Sequence, residues 1–138
     1  MTVLFLCRQN AGRSQMAQAF FEQLAPEFSA VSGGSTPAPA VHPIVIDAMR
    51  EVGINLAGRT PRKVDAEMLA GADVVISMGC DDPALCDYPG RKVEDWGIPD
   101  PSGKPIDEVR RIRDLLRAQV EGLVRRLRSI STEQARSR

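Results

Sequence analysis

No run in the chain approaches the ~18 uninterrupted apolar residues of a membrane-spanning helix. The first residues, Met1-Thr2-Val3-Leu4-Phe5-Leu6, have neither the basic region nor the length of a secretion signal. The expected location is therefore cytoplasmic, with no membrane partner. An excess of charge of either sign is also missing. Lys plus Arg and Asp plus Glu stand at 18 each, so no global field gathers nucleic acid or an anionic surface, and any affinity for anions must be local. Aromatics are few, with one Trp and one Tyr. Internal repeats and low-complexity linkers are absent. Cysteine is scarce too. Three cysteines cannot all pair within one chain, and in a reducing compartment such thiols serve as buried apolar residues, metal ligands or catalysts more often than as structural bridges.

What is present describes one compact α/β domain. A chain of 138 residues, 43% hydrophobic, suffices for a single core. The domain is expected over residues 1–130, with 131–138 a polar, disordered tail. Residues 3–6 form a short apolar run that breaks into the polar segment Cys7-Arg8-Gln9-Asn10-Ala11-Gly12-Arg13-Ser14. From Ser14 the period turns helical, with Met16, Ala17, Phe20, Phe21 and Leu24 on one face and Pro26 past the end. A second strand is expected over 28–32, before a turn-rich stretch. A second helix follows from Pro43, burying Ile44, Val45, Ala48, Met49 and Val52 and stopping at Gly53. Further on come a short helix over 65–69, a strand over 72–77 covered on both faces, and a last strand over 92–96. A long helix then begins at Pro105, with Val109, Ile112, Leu115, Leu116, Val120, Leu123, Val124 and Leu127 inward, fraying after Ile130. Four strands alternating with helices imply an open, largely parallel sheet whose ligands bind outside the strands' carboxyl ends. Loops starting at Cys7 and Cys80 and the segment carrying Asp100 gather there.

Five residues separate Cys7 from Arg13. That is enough backbone to curl several N–H groups inward, and the following helix adds its positive end. Arg13 offers a planar fork of donors to two oxygens of a tetrahedral oxyanion. With Arg8, Gln9, Asn10, Ala11, Gly12 and Ser14 it forms an anion cradle around Cys7. The same donors favour a nucleophilic thiolate, to which Ser14 offers a further hydrogen bond. Asn10 suits a positive φ in such a loop. The plainer alternative is a small buried hydrophobe at Cys7 with solvated arginines.

Cys-x5-Arg-Ser after the first strand resembles the low-molecular-weight protein tyrosine phosphatases and the arsenate reductases that share their fold. Asn10-Ala11-Gly12-Arg13-Ser14-Gln15-Met16-Ala17, Glu51-Val52-Gly53-Ile54 and Met78-Gly79-Cys80 resemble the arsenate reductase branch, over residues 3–127. The resemblance implies a three-layer fold in which helices flank a four-stranded parallel sheet. It also implies roles for Cys7, Arg13, Cys80 and Asp100, and arsenate as substrate in arsenic detoxification. Some relatives bind potassium through a first-helix carboxylate. Gln18 occupies the matching place here, so no metal is expected, and no cofactor.

Cleaving a bond from the central atom to oxygen needs a general acid. Asp100, before Pro101, matches the Asp-Pro pair of both related families, and Asp95 is its nearest rival. Reducing arsenate takes two electrons from thiols, whereas a phosphatase needs one sulfur and water. Cys80 would attack the Cys7 adduct, and Cys86 could then attack Cys80 and pass the oxidation to thioredoxin or to a low-molecular-weight thiol system. Six residues of continuous helix rise ~9 Å, beyond the ~7 Å Cα limit of a disulfide, so the intervening segment must be a loop or unwind. Packing roles for Cys80 and Cys86, and a zinc site formed by them with His42, stay open. Three activities therefore compete: arsenate reductase, phosphatase acting through a Cys7 phosphoenzyme, and a non-catalytic metalloid or redox sensor. One Tyr and one Trp leave little with which to grip a phenol.

Overall fold

The computed structural model describes residues 1–80 and 82–136. Strand β1 (Thr2–Cys7) is buried from Val3 onward and lies inside a four-stranded sheet. Its partners are β2 (Ser29–Gly34), β3 (Val74–Ser77) and β4 (Val93–Asp95), in the order β2-β1-β3-β4. Every pairing is parallel. The pleat sends Val3, Phe5 and Cys7 to one face and Leu4 and Leu6 to the other, which explains why the run shows no polar alternation. The first face packs against α1 (Arg13–Leu24), α2 (Pro43–Arg50) and α4 (Ile106–Arg136). The second is covered by α3 (Ala66–Gly71) and a 3-10 turn, Pro83–Leu85, through Met68, Ala72 and Leu85. The three-layer parallel α/β architecture is the one expected.

Several boundaries moved. β2 begins one residue later than 28–32 and ends two later, because parallel pairing of Leu6 with Gly33 and of Cys7 with Gly34 holds two glycines that read as turn residues. α3 starts after Asp65, whose side chain accepts from Met68 N, and continues to Gly71. β4 keeps only the middle of 92–96. On α4, Leu115 is 46% exposed, contrary to expectation. The neighbouring inward position is taken by Arg113, which is buried and donates to Ala48 O. The tail also differs. α4 runs six residues past Ile130, carried by helix-forming Glu133, Gln134 and Ala135 with no proline or glycine to stop it. Thr132 Oγ1 donates back to Arg128 O at 2.9 Å. The expected disordered tail of 131–138 thus includes six residues described as helix, and 137–138 lie outside the described residues. Among the described residues no helix is long and apolar enough to cross a membrane.

Candidate active site

The strand-to-helix turn after β1 is braced from within. Asn10 takes a positive φ of 51° and is fully buried. Its Oδ1 accepts from Arg62 N at 2.8 Å and from Gln15 Nε2 at 3.1 Å, while its Nδ2 donates to Ser14 Oγ at 2.7 Å. Ser14 Oγ is 2.9 Å from Cys7 Sγ. Since Asn10 already donates to that oxygen, the hydroxyl hydrogen is free to point at a Cys7 thiolate. Arg13 opens α1 and donates from Nη1 to Ile98 O at 3.0 Å, which ties the guanidinium to the loop carrying Asp100. Gly34 closes the back of the turn. A Cβ there would lie 2.7 Å from Arg8 O and 2.9 Å from Asn10 N.

These braces surround a cavity of about 160 Å³. Cys7, Arg8, Gln9, Ala11, Gly12 and Arg13 form its floor and sides, and His42, Asp100 and Ser102 complete the wall. Pockets for drug-sized ligands run to roughly 300–1,000 Å³, so this one suits a small anion. Cys7 is a free thiol, 2% exposed. Asn10 and Ser14, placed in the cradle by sequence, stand behind it as braces and do not line the cavity. Asp100 lines it, with Oδ1 accepting from Ser102 N at 2.9 Å. Asp95 instead accepts from Gly97 N and is not among the lining residues.

Cys80 and Cys86 are not in the cavity wall. They are joined to each other in a disulfide with Cα atoms 5.6 Å apart, inside the limit that continuous helix would exceed. Asp82 Oδ1 accepts from Ala84 N at 3.0 Å and caps the 3-10 turn between them. The pair is near the cradle by topology: Met78 N donates to Leu6 O at 2.8 Å, so Cys80 follows two residues after a contact with Cys7's chain neighbour. Tyr88 donates to Ala84 O. Burial and the charge of Asp82 push its phenol up. With both thiols in a disulfide and His42 in the cavity wall, the zinc grouping does not form. Among the described residues no cluster of three His, Cys, Asp or Glu side chains is placed to hold a metal.

A family model described as low molecular weight phosphotyrosine protein phosphatase matches residues 2–134. The chain belongs to this family. Several relatives of this phosphatase-family protein bear the name of the other activity. Arsenate reductase 2 of Staphylococcus epidermidis is 35% identical over 122 residues, covering 87% of this chain and 93% of that protein. The thioredoxin-dependent arsenate reductase of Corynebacterium glutamicum superposes with a TM-score of 0.76 at 30% identity, covering 92% of this chain and 61% of the other. A YwlE arginine phosphatase mutant with a phosphorylated active-site serine superposes with a TM-score of 0.83 at 26% identity, covering 93% and 96%. The fold therefore houses both chemistries among the protein's relatives.

Three site residues escaped sequence reasoning. His42, which sequence offers only as a candidate zinc ligand, and Ser102 both line the cavity. Gly34 was read as part of a turn. The glycine pair at 33–34 was the available signal for a close backbone approach, whereas nothing local marked His42 or Ser102.

Proposed function

We propose that this phosphatase-family chain is an arsenate reductase, a thiol-dependent oxidoreductase of arsenic detoxification. The observation that carries this reading is the Cys80–Cys86 disulfide beside a free Cys7. Hydrolysis through a phosphoenzyme requires only one nucleophilic sulfur and water, whereas reduction requires two electrons per arsenate from thiols. Arsenate enters the cradle between Arg13 and the loop N–H groups. The Cys7 thiolate attacks arsenic, and Asp100 protonates the departing oxygen, so that water leaves. Cys80 thiolate then attacks Cys7 Sγ. The sulfur–arsenic bond breaks, its electron pair stays on arsenic, and arsenite departs from a Cys7–Cys80 disulfide. Cys86 attacks Cys80, releases Cys7 as thiolate and leaves the pairing described above. Thioredoxin, named for the C. glutamicum relative, is the reductant that fits an internal disulfide, and a reducing cytoplasm is the compartment in which the cycle turns over.

The deciding experiment measures arsenite release with arsenate and a complete thioredoxin system. Cys80→Ser should abolish turnover while leaving slow hydrolysis of a generic phosphate ester intact, since the cradle contains no part of Cys80. Full turnover by Cys80→Ser would exclude the relay. The phosphatase reading keeps one observation in its favour, the close superposition on YwlE arginine phosphatase. Efficient phosphate ester or phosphoarginine hydrolysis without arsenite release would establish it.

A further inference from the structure

The disulfide segment is held by more than its disulfide. Because β1 lies between β2 and β3, the loops leaving β2 and β3 begin on opposite sides of Cys7. They are nevertheless joined, since Ser35, one residue past β2, donates its hydroxyl hydrogen to Asp82 Oδ2 at 2.8 Å. This bond crosses the carboxyl end of β1, where Arg8 O accepts from the next residue of the same loop, Thr36 N, at 2.8 Å. The second oxygen of Asp82 accepts from Ala84 N and starts the turn that leads into Cys86. One carboxylate thus shapes the chain between the two thiols and ties it to the loop behind the cradle. The Ser35 hydrogen bond, then the Ala84 N–H and the charge of Arg8, hold the Asp82 carboxyl below its ordinary range. The bond is therefore charge-assisted near neutral pH.

We propose that Ser35 and Asp82 are positioning residues of the thiol relay, and that their hydrogen bond across the end of β1 favours the disulfide form of the Cys80–Cys86 segment. A Cys7–Cys80 bond requires Cys80 to reach a sulfur buried under the cradle loop, and the clasped segment must give up its geometry to do so. The exchange biased in this way is electron-neutral. Cys86 thiolate attacks Cys80 Sγ, the Cys80–Cys86 bond forms, the Cys7–Cys80 bond breaks, and Cys7 leaves as thiolate. Only this exchange rests on the reductase reading. The effect on the oxidation equilibrium of Cys80 and Cys86 needs no arsenate.

The test equilibrates the full chain in dithiothreitol redox buffers without arsenate and reads the Cys80–Cys86 disulfide by thiol alkylation and mass spectrometry. Ser35→Ala should lower the equilibrium constant for disulfide formation by roughly threefold to tenfold, the scale of one partly exposed charge-assisted hydrogen bond. Ser35→Thr keeps the hydroxyl and should stay within about twofold of the parent, and Ser35→Ala should add no further loss in an Asp82→Ala background. In a single arsenate turnover without reductant, Ser35→Ala should accumulate more Cys7–Cys80 relative to Cys80–Cys86, with inorganic phosphate binding unchanged. An unaltered oxidation constant in Ser35→Ala, or an equal loss in Ser35→Thr, overturns the proposal. If Ser35→Ala does not fold, Asp82→Ala alone is held to the same threshold against the parent. A parent that fails to reduce arsenate while its oxidation constant still responds to Ser35→Ala sinks the reductase reading and leaves the clasp standing.

Discussion

Cys7, Ser14 and Asn10 form a short chain of hydrogen bonds in which each side chain has one task. Asn10 fixes Ser14, Ser14 faces the sulfur, and the sulfur lies at the floor of the cavity. Asp100 approaches from a different loop, oriented by Ser102 N. In the proposed mechanism Asp100 acts as the acid and residues 8–13 supply the anion's donors, so the two roles separate. Asp100→Asn should therefore slow bond cleavage in a single turnover by a factor on the order of 100 or more, with inorganic phosphate binding retained. Rapid-quench measurement across pH checks this, and an unchanged rate profile would place the acid elsewhere.

Between elements, the sheet register matters more than any one side chain. Pairing of Cys7 with Gly34 sets β2 directly behind the cradle, and the backbone there is too close for a side chain. An added Cβ at Gly34 would meet Arg8 O at 2.7 Å, Asn10 N at 2.9 Å and Cys7 O at 3.0 Å. All three are backbone atoms of the turn, which cannot swing aside as a flexible side chain could. Overpacking of this kind costs about 1–3 kcal/mol. Gly34→Ala should weaken inorganic phosphate binding by about tenfold or more, measured by calorimetry, while the helical circular dichroism stays near that of the parent. Binding equal to the parent's would mean that the cradle accommodates a displaced β2.

For the molecule as a whole, α4 fastens the layer that covers the core. Glu51, just past α2, accepts from Arg110 Nε and Nη2 at 2.9 and 2.6 Å and from Arg113 Nη1 at 2.8 Å. Hydrogen bonds from Arg110 first, then Arg113, bring its carboxyl from an ordinary 4.5 down to about 2. Arg128 holds Glu27, and Arg126 holds Glu94, below the ordinary range in the same way. A depressed carboxyl pKa contributes stability that is fully present above the unfolded value and is lost as pH falls through the folded one. The melting temperature should drop as pH falls from 4.5 toward about 2, and Glu51→Gln should flatten part of that drop. Parallel pH profiles for parent and variant would show that Glu51 contributes nothing to acid stability.

Sequence alone determined what neighbouring residues decide among themselves. The strand, loop and helix around Cys7 to Ser14 are consecutive in the chain, so the residue types already pointed to a strand, a tight loop suited to a positive-φ asparagine and a helix, as found. The inward stripe of α4 follows from its period, apart from the place taken by Arg113. Tertiary structure decided what meets that cradle. Strand order β2-β1-β3-β4 arises from which apolar faces are buried together, a long-range choice that no local pattern encodes. It brought Gly34 behind the turn and His42 and Ser102 into the wall, and it let Ser35 reach Asp82 across β1. It also brought Cys80 and Cys86 together as the pair joined in this structure. Three cysteines in sequence allow several disulfides, and only the folded backbone brings the Cα atoms of Cys80 and Cys86 to 5.6 Å while keeping Cys7 a free, buried thiol.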